Sequence, residues 1–266
     1  MIQMYKPQDV DPELAAKNLN RLHQFVEKST EMVGVDHTSV MLVPTASEVL
    51  SDKLPRFAEG VLYDQKELLR QAEEQVGDGA WIDVRSVLDS HKEEYIFYRT
   101  DHHWTMTGAF YAYQQWMSQK GYGTVNLDDY EQVILSEEFL GTIYSKAPTM
   151  SAEGDTMLYF DKDPQRKYTV YLEGSEEGHN GLYDPVKLQE KDKYASYLYG
   201  NNGLVEIQGG EKNGRVLLMI KDSYAHSLGT LAAQDFERGY LIDPRYFLQD
   251  VWQFALTDEK VKDPIK

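Results

Sequence analysis

The unbroken apolar run Val216-Leu217-Leu218-Met219-Ile220 constrains the fold more than any other stretch of the chain. A strand with no polar alternation offers water neither face, which is the pattern of strands buried in a parallel sheet. Lys221-Asp222-Ser223 follows as a turn, Leu228 to Phe236 reads as a helix, and Tyr240-Leu241-Ile242-Asp243 reads as the next strand. Such a βαβ unit sets Ser223 at the carboxyl end of a strand and near a helix N-terminus. Open α/β sheets bind their ligands along that edge.

The first third of the chain shows the same grammar. Glu13 to Met32 is an amphipathic helix with Leu14, Leu19, Leu22, Phe25 and Val26 near helical spacing. Ser39-Val40-Met41-Leu42-Val43 reads as a buried strand ended by Pro44-Thr45. A loop at Ser51 to Pro55 precedes a helix from Leu62 to Val76, which Gly77-Asp78-Gly79 breaks before a further strand at Trp81-Ile82-Asp83-Val84. Thr100 to Gly121 is the most strongly patterned stretch, with Ala109, Phe110, Tyr113, Trp116 and Met117 on one face of a helix that Gly121 ends. Between Tyr122 and Arg215 the character changes. Short runs such as Met157 to Phe160 and Tyr168 to Leu172 alternate with turns rich in Gly and Asp. The expected architecture is a three-layer α/β fold with a mostly parallel sheet. It forms a single domain over residues 1–266, with a β-rich insertion at about 122–214.

Composition removes several classes of chemistry. Cysteine is absent, so disulfides, thiolate metal sites and cysteine nucleophiles are excluded. The 44 acidic against 27 basic side chains give a formal charge of −17, a field that disfavours nucleic acid or an anionic membrane surface as partner. No stretch is long and apolar enough to span a bilayer, and the polar opening from Met1 to Asp11 does not resemble a signal peptide. The chain is therefore either cytosolic or preceded by an anchor or export signal outside this sequence. The 19 tyrosines suit both core filling and sugar recognition.

Two short segments carry the chemistry. A serine needs a base to take its proton, and a histidine base needs an acceptor to hold its tautomer. Asp101-His102-His103-Trp104 stands just before a helix that Thr105 or Thr107 can cap, and Asp222-Ser223 stands on the strand-to-helix turn. Asp101 and His103, two residues apart, can share one side of an irregular turn. Plainer readings stand beside this one. Asp101 could only cap the helix, and Trp104 could anchor it in the core. His226, three residues beyond Ser223, is a rival base. Asp243 and Arg245 could form an ion pair, or Arg245 could bind an anionic sugar. Asp101, His102 and His103 with His179 or His226 could ligate a divalent ion, although no His-x-x-x-His pair supports a metal site, and neither metal nor cofactor is expected.

Tyr98-Arg99-Thr100-Asp101-His102-His103-Trp104-Thr105 followed by Gly108-Ala109 resembles the signature of bacterial DHHW proteins, which belong with the alginate O-acetyltransferase-like branch of the SGNH-hydrolase superfamily. Leu42-Val43-Pro44-Thr45, Asp52-Lys53-Leu54-Pro55, Phe139-Leu140-Gly141-Thr142, Lys221-Asp222-Ser223-Tyr224 and Asp243-Pro244-Arg245-Tyr246 fit the same resemblance. It implies an SGNH-like fold in which Ser223 is the nucleophile, His103 the base and Asp101 its orienter. The Ser223 N–H and Asn201 of Gly200-Asn201-Asn202-Gly203 would form an oxyanion hole, with His102, Trp104 and Arg245 as possible substrate contacts. The implied function is O-acyl transfer, most naturally of acetyl, or ester hydrolysis on an extracellular or cell-envelope polysaccharide. A membrane-bound acyl donor protein is the implied partner, and an N-terminal anchor would precede this chain. The competing reading is a non-catalytic carbohydrate-binding or envelope-assembly protein that keeps the fold.

Overall fold

A computed structural model of the chain describes residues 2–58 and 60–257. Both ends of the expected domain, residue 1 and residues 258–266, lie outside them. Short polar side chains start the helices. Asp11 accepts hydrogen bonds from the Glu13 and Leu14 N–H groups and opens α1 (Pro12–Val33). A single turn, α2 (Ala46–Val49), follows. Asp64 caps α3 (Gln65–Val76), Asp83 caps α4 (Val84–Ser90) and Thr105 caps α5 (Met106–Gln119). Each cap satisfies a backbone N–H that has no partner within its own helix.

The strands follow in the second half. β1 (Glu131–Phe139) and β2 (Asp155–Asp161) pair antiparallel, with α6 (Thr142–Lys146) between them. β3 (Thr169–Leu172), β4 (Gly178–Asn180), β5 (Leu204–Gln208), β6 (Val216–Ile220) and β7 (Arg238–Ile242) form one sheet in the order β4-β3-β5-β7-β6. Helix α7 (His226–Asp235) connects β6 to β7, and α8 (Val251–Thr257) closes the described chain.

The sheet is not mostly parallel. Only β6 and β7 run parallel; β3 with β4, β3 with β5, and β5 with β7 are all antiparallel. The α7 crossover is what returns the chain in the same direction, whereas the tight β3–β4 connection can only reverse it. The strands expected at 39–43 and 81–84 shrink to one parallel bridge between Val40 and Trp81. Pro44 has no N–H to extend that ladder, and Asp83 turns instead to cap α4.

The apolar run that opens the βαβ unit is an edge strand, half-buried along its whole length. Its continuous hydrophobicity has a different cause from the one its sequence implies. Leu217 and Met219 pack on the main core, while Val216 and Leu218 pack with Tyr240, Phe254 and Ala255, the last two from α8. Both faces are thus covered although one edge is open. The main core gathers around α5, whose Phe110, Tyr113 and Trp116 meet Phe139, Phe160 and Phe236. A second cluster joins α1 and α3 through Leu19, Val26, Leu69 and Ala72. Each fully buried large side chain contributes about 2–3 kcal/mol. Gly108 in the first turn of α5 has no room for a side chain, because a Cβ would stand 2.4 Å from the Ile96 carbonyl oxygen. That close approach brings the loop before α5 down onto the helix start.

Candidate active site

The loop from Phe97 to Trp104 is closed at its base by an antiparallel bridge between those two residues. The Tyr98 N–H donates to the His103 carbonyl (3.2 Å), and the Thr105 N–H donates to Ile96 (2.9 Å). From β2, the fully buried Asp155 reaches into the loop. It accepts from the Arg99 N–H (2.9 Å), the Thr100 N–H (2.7 Å), the Thr100 hydroxyl (2.6 Å) and the Tyr95 hydroxyl. The loop that presents Asp101 and His103 is therefore held by three hydrogen bonds to one carboxylate, which the Tyr95 hydroxyl just before the loop also engages.

Asp101 is itself buried, with donors on both oxygens. Its Oδ1 accepts from the His103 N–H (3.0 Å) and faces His103 Nδ1 at 2.5 Å; its Oδ2 accepts from the Thr142 N–H (2.8 Å) and hydroxyl (2.9 Å). Gly141 makes that approach possible: a Cβ there would lie 2.3 Å from the Asp101 Cβ. Burial alone would raise the Asp101 pKa. The hydrogen bonds and charge of the neighbouring histidines and the Thr142 N–H outweigh it, so the carboxyl is held well below its usual range.

The protons can be assigned from this geometry. A carboxylate only accepts, so His103 Nδ1 carries a hydrogen, and in the neutral imidazole Nε2 then carries the lone pair. Nε2 stands 3.1 Å from Ser223 Oγ, which is thus the donor of that bond. Asp101, His103 and Ser223 are joined in one chain of hydrogen bonds. His102 Nδ1 lies 2.6 Å from the Thr142 hydroxyl, and its pKa is lowered by burial and by the nearby His103.

Ser223 opens a single 3₁₀ turn after β6, where Asp222 accepts from the Tyr224 N–H at 2.9 Å. The first N–H of such a turn has no upstream carbonyl within it to receive it. Two further bonds join this turn to the loop about 120 residues earlier: the Trp104 indole donates to the Tyr224 carbonyl (2.8 Å), and the Tyr224 hydroxyl donates to the His102 carbonyl (2.8 Å). A small cavity of about 30 Å³ lies against Asp101 and His102, lined also by Tyr5, Thr45, Ile143 and Tyr224.

The other candidates are placed differently. Trp104 has no exposed surface, so it anchors the loop and cannot serve as a sugar platform. Asn201 is exposed in the turn before β5 and makes no hydrogen bond to Ser223 among the described residues; Asn202 ties that turn to Tyr199 and Gly200. Arg245 grips Asp243 with two side-chain bonds of 2.9 and 2.6 Å while half of its side chain stays exposed. His226, the rival base, is buried, and neither ring nitrogen has a hydrogen-bond partner among the described residues. Burial and the charge of Lys221 push its pKa well down. The Lys221 pKa is pushed down to about 8, mainly by burial; its ammonium lies 4.0 Å from Asp243 and has no hydrogen-bond partner among the described residues. His179 sits on β4 beside Tyr199 and does not join Asp101, His102 and His103, whose ligand atoms lie within 4.8 Å of one another. The Nδ1 atoms of both those histidines are already engaged in hydrogen bonds.

Asp155 and Tyr194 are the residues that sequence reasoning missed. Asp155 stands in a turn-rich stretch with many acidic residues, and Tyr194 is one tyrosine among 19. Neither position carries a local signal.

The DHHW protein family model matches residues 23–242. Among solved structures, the chain is similar to a DHHW family protein from Eubacterium siraeum at 24% identity, covering 91% of this chain and 81% of that one with a TM-score of 0.72. It is also similar to PatB1 of Bacillus cereus at 22% identity. The structure of PatB1 alone covers 92% of this chain and 85% of that one at a TM-score of 0.71, and one with a sulfonyl adduct gives 0.70. At these identities the likeness is one of fold. No curated protein matches the chain.

Proposed function

The chain belongs to the DHHW family, and from that premise we propose that it is a serine-dependent O-acyltransferase, with an SGNH-like active site, that acts on a polysaccharide of the cell envelope. The observation that carries the reading is the hydrogen-bond chain from Asp101 through His103 to Ser223, at 2.5 and 3.1 Å. In it His103 takes the Ser223 proton as Oγ forms a bond to the carbonyl carbon of the acyl donor. The charge that develops on the carbonyl oxygen meets the Ser223 N–H at the start of the turn. The donor's leaving oxygen departs with the proton from His103, and Ser223 is left acylated. A carbohydrate hydroxyl then gives its proton to His103, attacks the ester and leaves acylated, and Oγ regains its proton. Asp101 orients His103 throughout and offsets the charge of the imidazolium.

The acyl group is acetyl in this proposal, the donor a membrane-bound acyl donor protein, and the place of action the extracellular or cell-envelope face. No helix among the described residues is long and apolar enough to cross a membrane. Water in place of the sugar would make the same machinery an esterase; the balance depends on how well the bound acceptor excludes it.

The test is intact-protein mass spectrometry after exposure to p-nitrophenyl acetate, with Ser223→Ala beside the wild type. An acetyl adduct that maps to Ser223 and vanishes in the variant is expected. Nitrophenol release that survives Ser223→Ala would overturn the reading. So would the absence of both adduct and release, with saccharide binding intact in the variant; that pair of results is what a non-catalytic binding protein predicts. The sulfonyl adduct of PatB1 supplies a second reagent, since a sulfonyl fluoride should modify Ser223 irreversibly.

A further inference from the structure

Two hydrogen bonds hold the His103 ring by its two nitrogens, one to Asp101 and one to Ser223. Two points fix a line through the ring, and the plane needs a third contact. Tyr194 makes it. Its ring lies parallel to the His103 imidazole, with centroids 3.9 Å apart and planes 7° apart. The tyrosine is held just as firmly: it is buried, its hydroxyl donates to the Ser223 carbonyl at 3.2 Å, and Tyr197 meets it edge-on at 5.3 Å. One side chain thus lies against the proposed base and bonds to the backbone of the proposed nucleophile.

We propose that Tyr194 is a positioning residue for acyl transfer: its ring sets the plane of His103, and its π-face stabilises the imidazolium formed when Ser223 gives up its proton. This rests on the reading of Ser223 and His103 above. An aromatic face attracts a cation within about 6 Å of its centroid, and the attraction strengthens where water is excluded. Neutral imidazole gains much less from that face than imidazolium does. The stack therefore favours the charged state on the reaction path over the resting state, which is the condition for raising kcat without tightening substrate binding. The hydroxyl bond to the Ser223 carbonyl adds one tie to a ring that burial and the edge-on Tyr197 already hold in place.

The experiment compares wild type, Tyr194→Phe and Tyr194→Met in p-nitrophenyl acetate turnover and in the rate of Ser223 sulfonylation by phenylmethanesulfonyl fluoride. Thermal melting is followed alongside. Methionine fills most of the space without a π-face; Tyr194→Leu replaces it if that variant melts near the assay temperature. Phenylalanine keeps the face, so kcat should stay within about threefold of wild type. The Met variant should lose about 3- to 30-fold in both kcat and sulfonylation rate, with KM changed less than about twofold. Rates equal to wild type in the folded Met variant would overturn the proposal. It would equally fall if the Phe variant were as slow as the Met variant, because the hydroxyl and not the face would then matter. Failure of either reagent to modify wild-type Ser223 would remove the acyltransfer reading and this proposal together, whereas a modified wild type with level variants would remove only the role of Tyr194.

Discussion

Asp101 is asked to hold a histidine and to keep a charge in a buried place, and both demands predict what its replacement should do. In Asp101→Asn the shape is kept, but the amide can present a donor where His103 Nδ1 requires an acceptor. The imidazole then turns its hydrogen toward Ser223 and can no longer take the serine proton. On the acyltransfer reading, kcat should fall by about 10³- to 10⁴-fold with KM little altered. A loss below about tenfold would remove Asp101 from the proposed role. The same carboxyl links stability to pH. Its pKa is lower folded than unfolded, so the ionised form favours the native state. That stabilisation is complete above the ordinary value of 3.8 and is lost as pH falls below it. Melting temperature followed from pH 6 down to the acid limit of folding should drop less steeply in Asp101→Asn than in wild type. At this scale the sequence was informative where chemistry dictates residue type. Asp101, His103 and Ser223 could be picked because acyl transfer needs those three groups, and the structure brings them together. Tyr194 could not, because a stacked ring acts only through tertiary contact and no spacing announces it.

Loop 97–104 is an element positioned from outside itself. Its own backbone closes only at the base, while its tip hangs on Asp155 at the start of β2 and on Thr142 at the start of α6. Asp155→Ala should strand the buried Thr100 N–H and remove the acceptor that the half-buried Tyr95 hydroxyl and the Arg99 N–H share. The cost is about 3–5 kcal/mol, or roughly 6–15 °C in melting temperature for a chain of this size. In the folded remainder, Ser223 acylation should slow as the loop loosens. A variant that melted within a degree or two of wild type would show that the loop holds itself. The long helices α1, α3 and α5 were legible from their apolar spacing, with Thr105 readable as a cap, whereas Asp83 was read into a strand and α4 behind it was missed, because a cap and a strand end look alike in so short a segment. Strand direction was not legible. Whether β5 runs with or against β7 depends on where the connections go, and β6 resembles a central strand only because cores press on both its faces.

The whole molecule carries a charge of −17, and the ion pairs on its surface do little to offset the self-repulsion this brings. Many of them, such as Lys187 with Glu190, join solvated neighbours along the chain, and water and salt screen such pairs until they contribute little. A compact chain of this length has a radius of gyration of about 18 Å. At 10 mM salt the screening length is about 30 Å, so every charge feels the rest; at 150 mM it is about 8 Å and most of the repulsion is gone. Added sodium chloride should therefore raise the melting temperature, steeply up to about 0.15 M and little beyond. The same field bears on the acceptor. A neutral oligosaccharide meets no electrostatic barrier, so its KM should be flat with salt. A polyanionic one is repelled, and its KM should fall as salt is added. Turnover measured with one acceptor of each kind between 10 and 300 mM sodium chloride separates these cases. A KM for the anionic acceptor that rises with salt would mean that a local cationic patch, with the half-exposed Arg245 as its first candidate, overrides the global field at the mouth of the site.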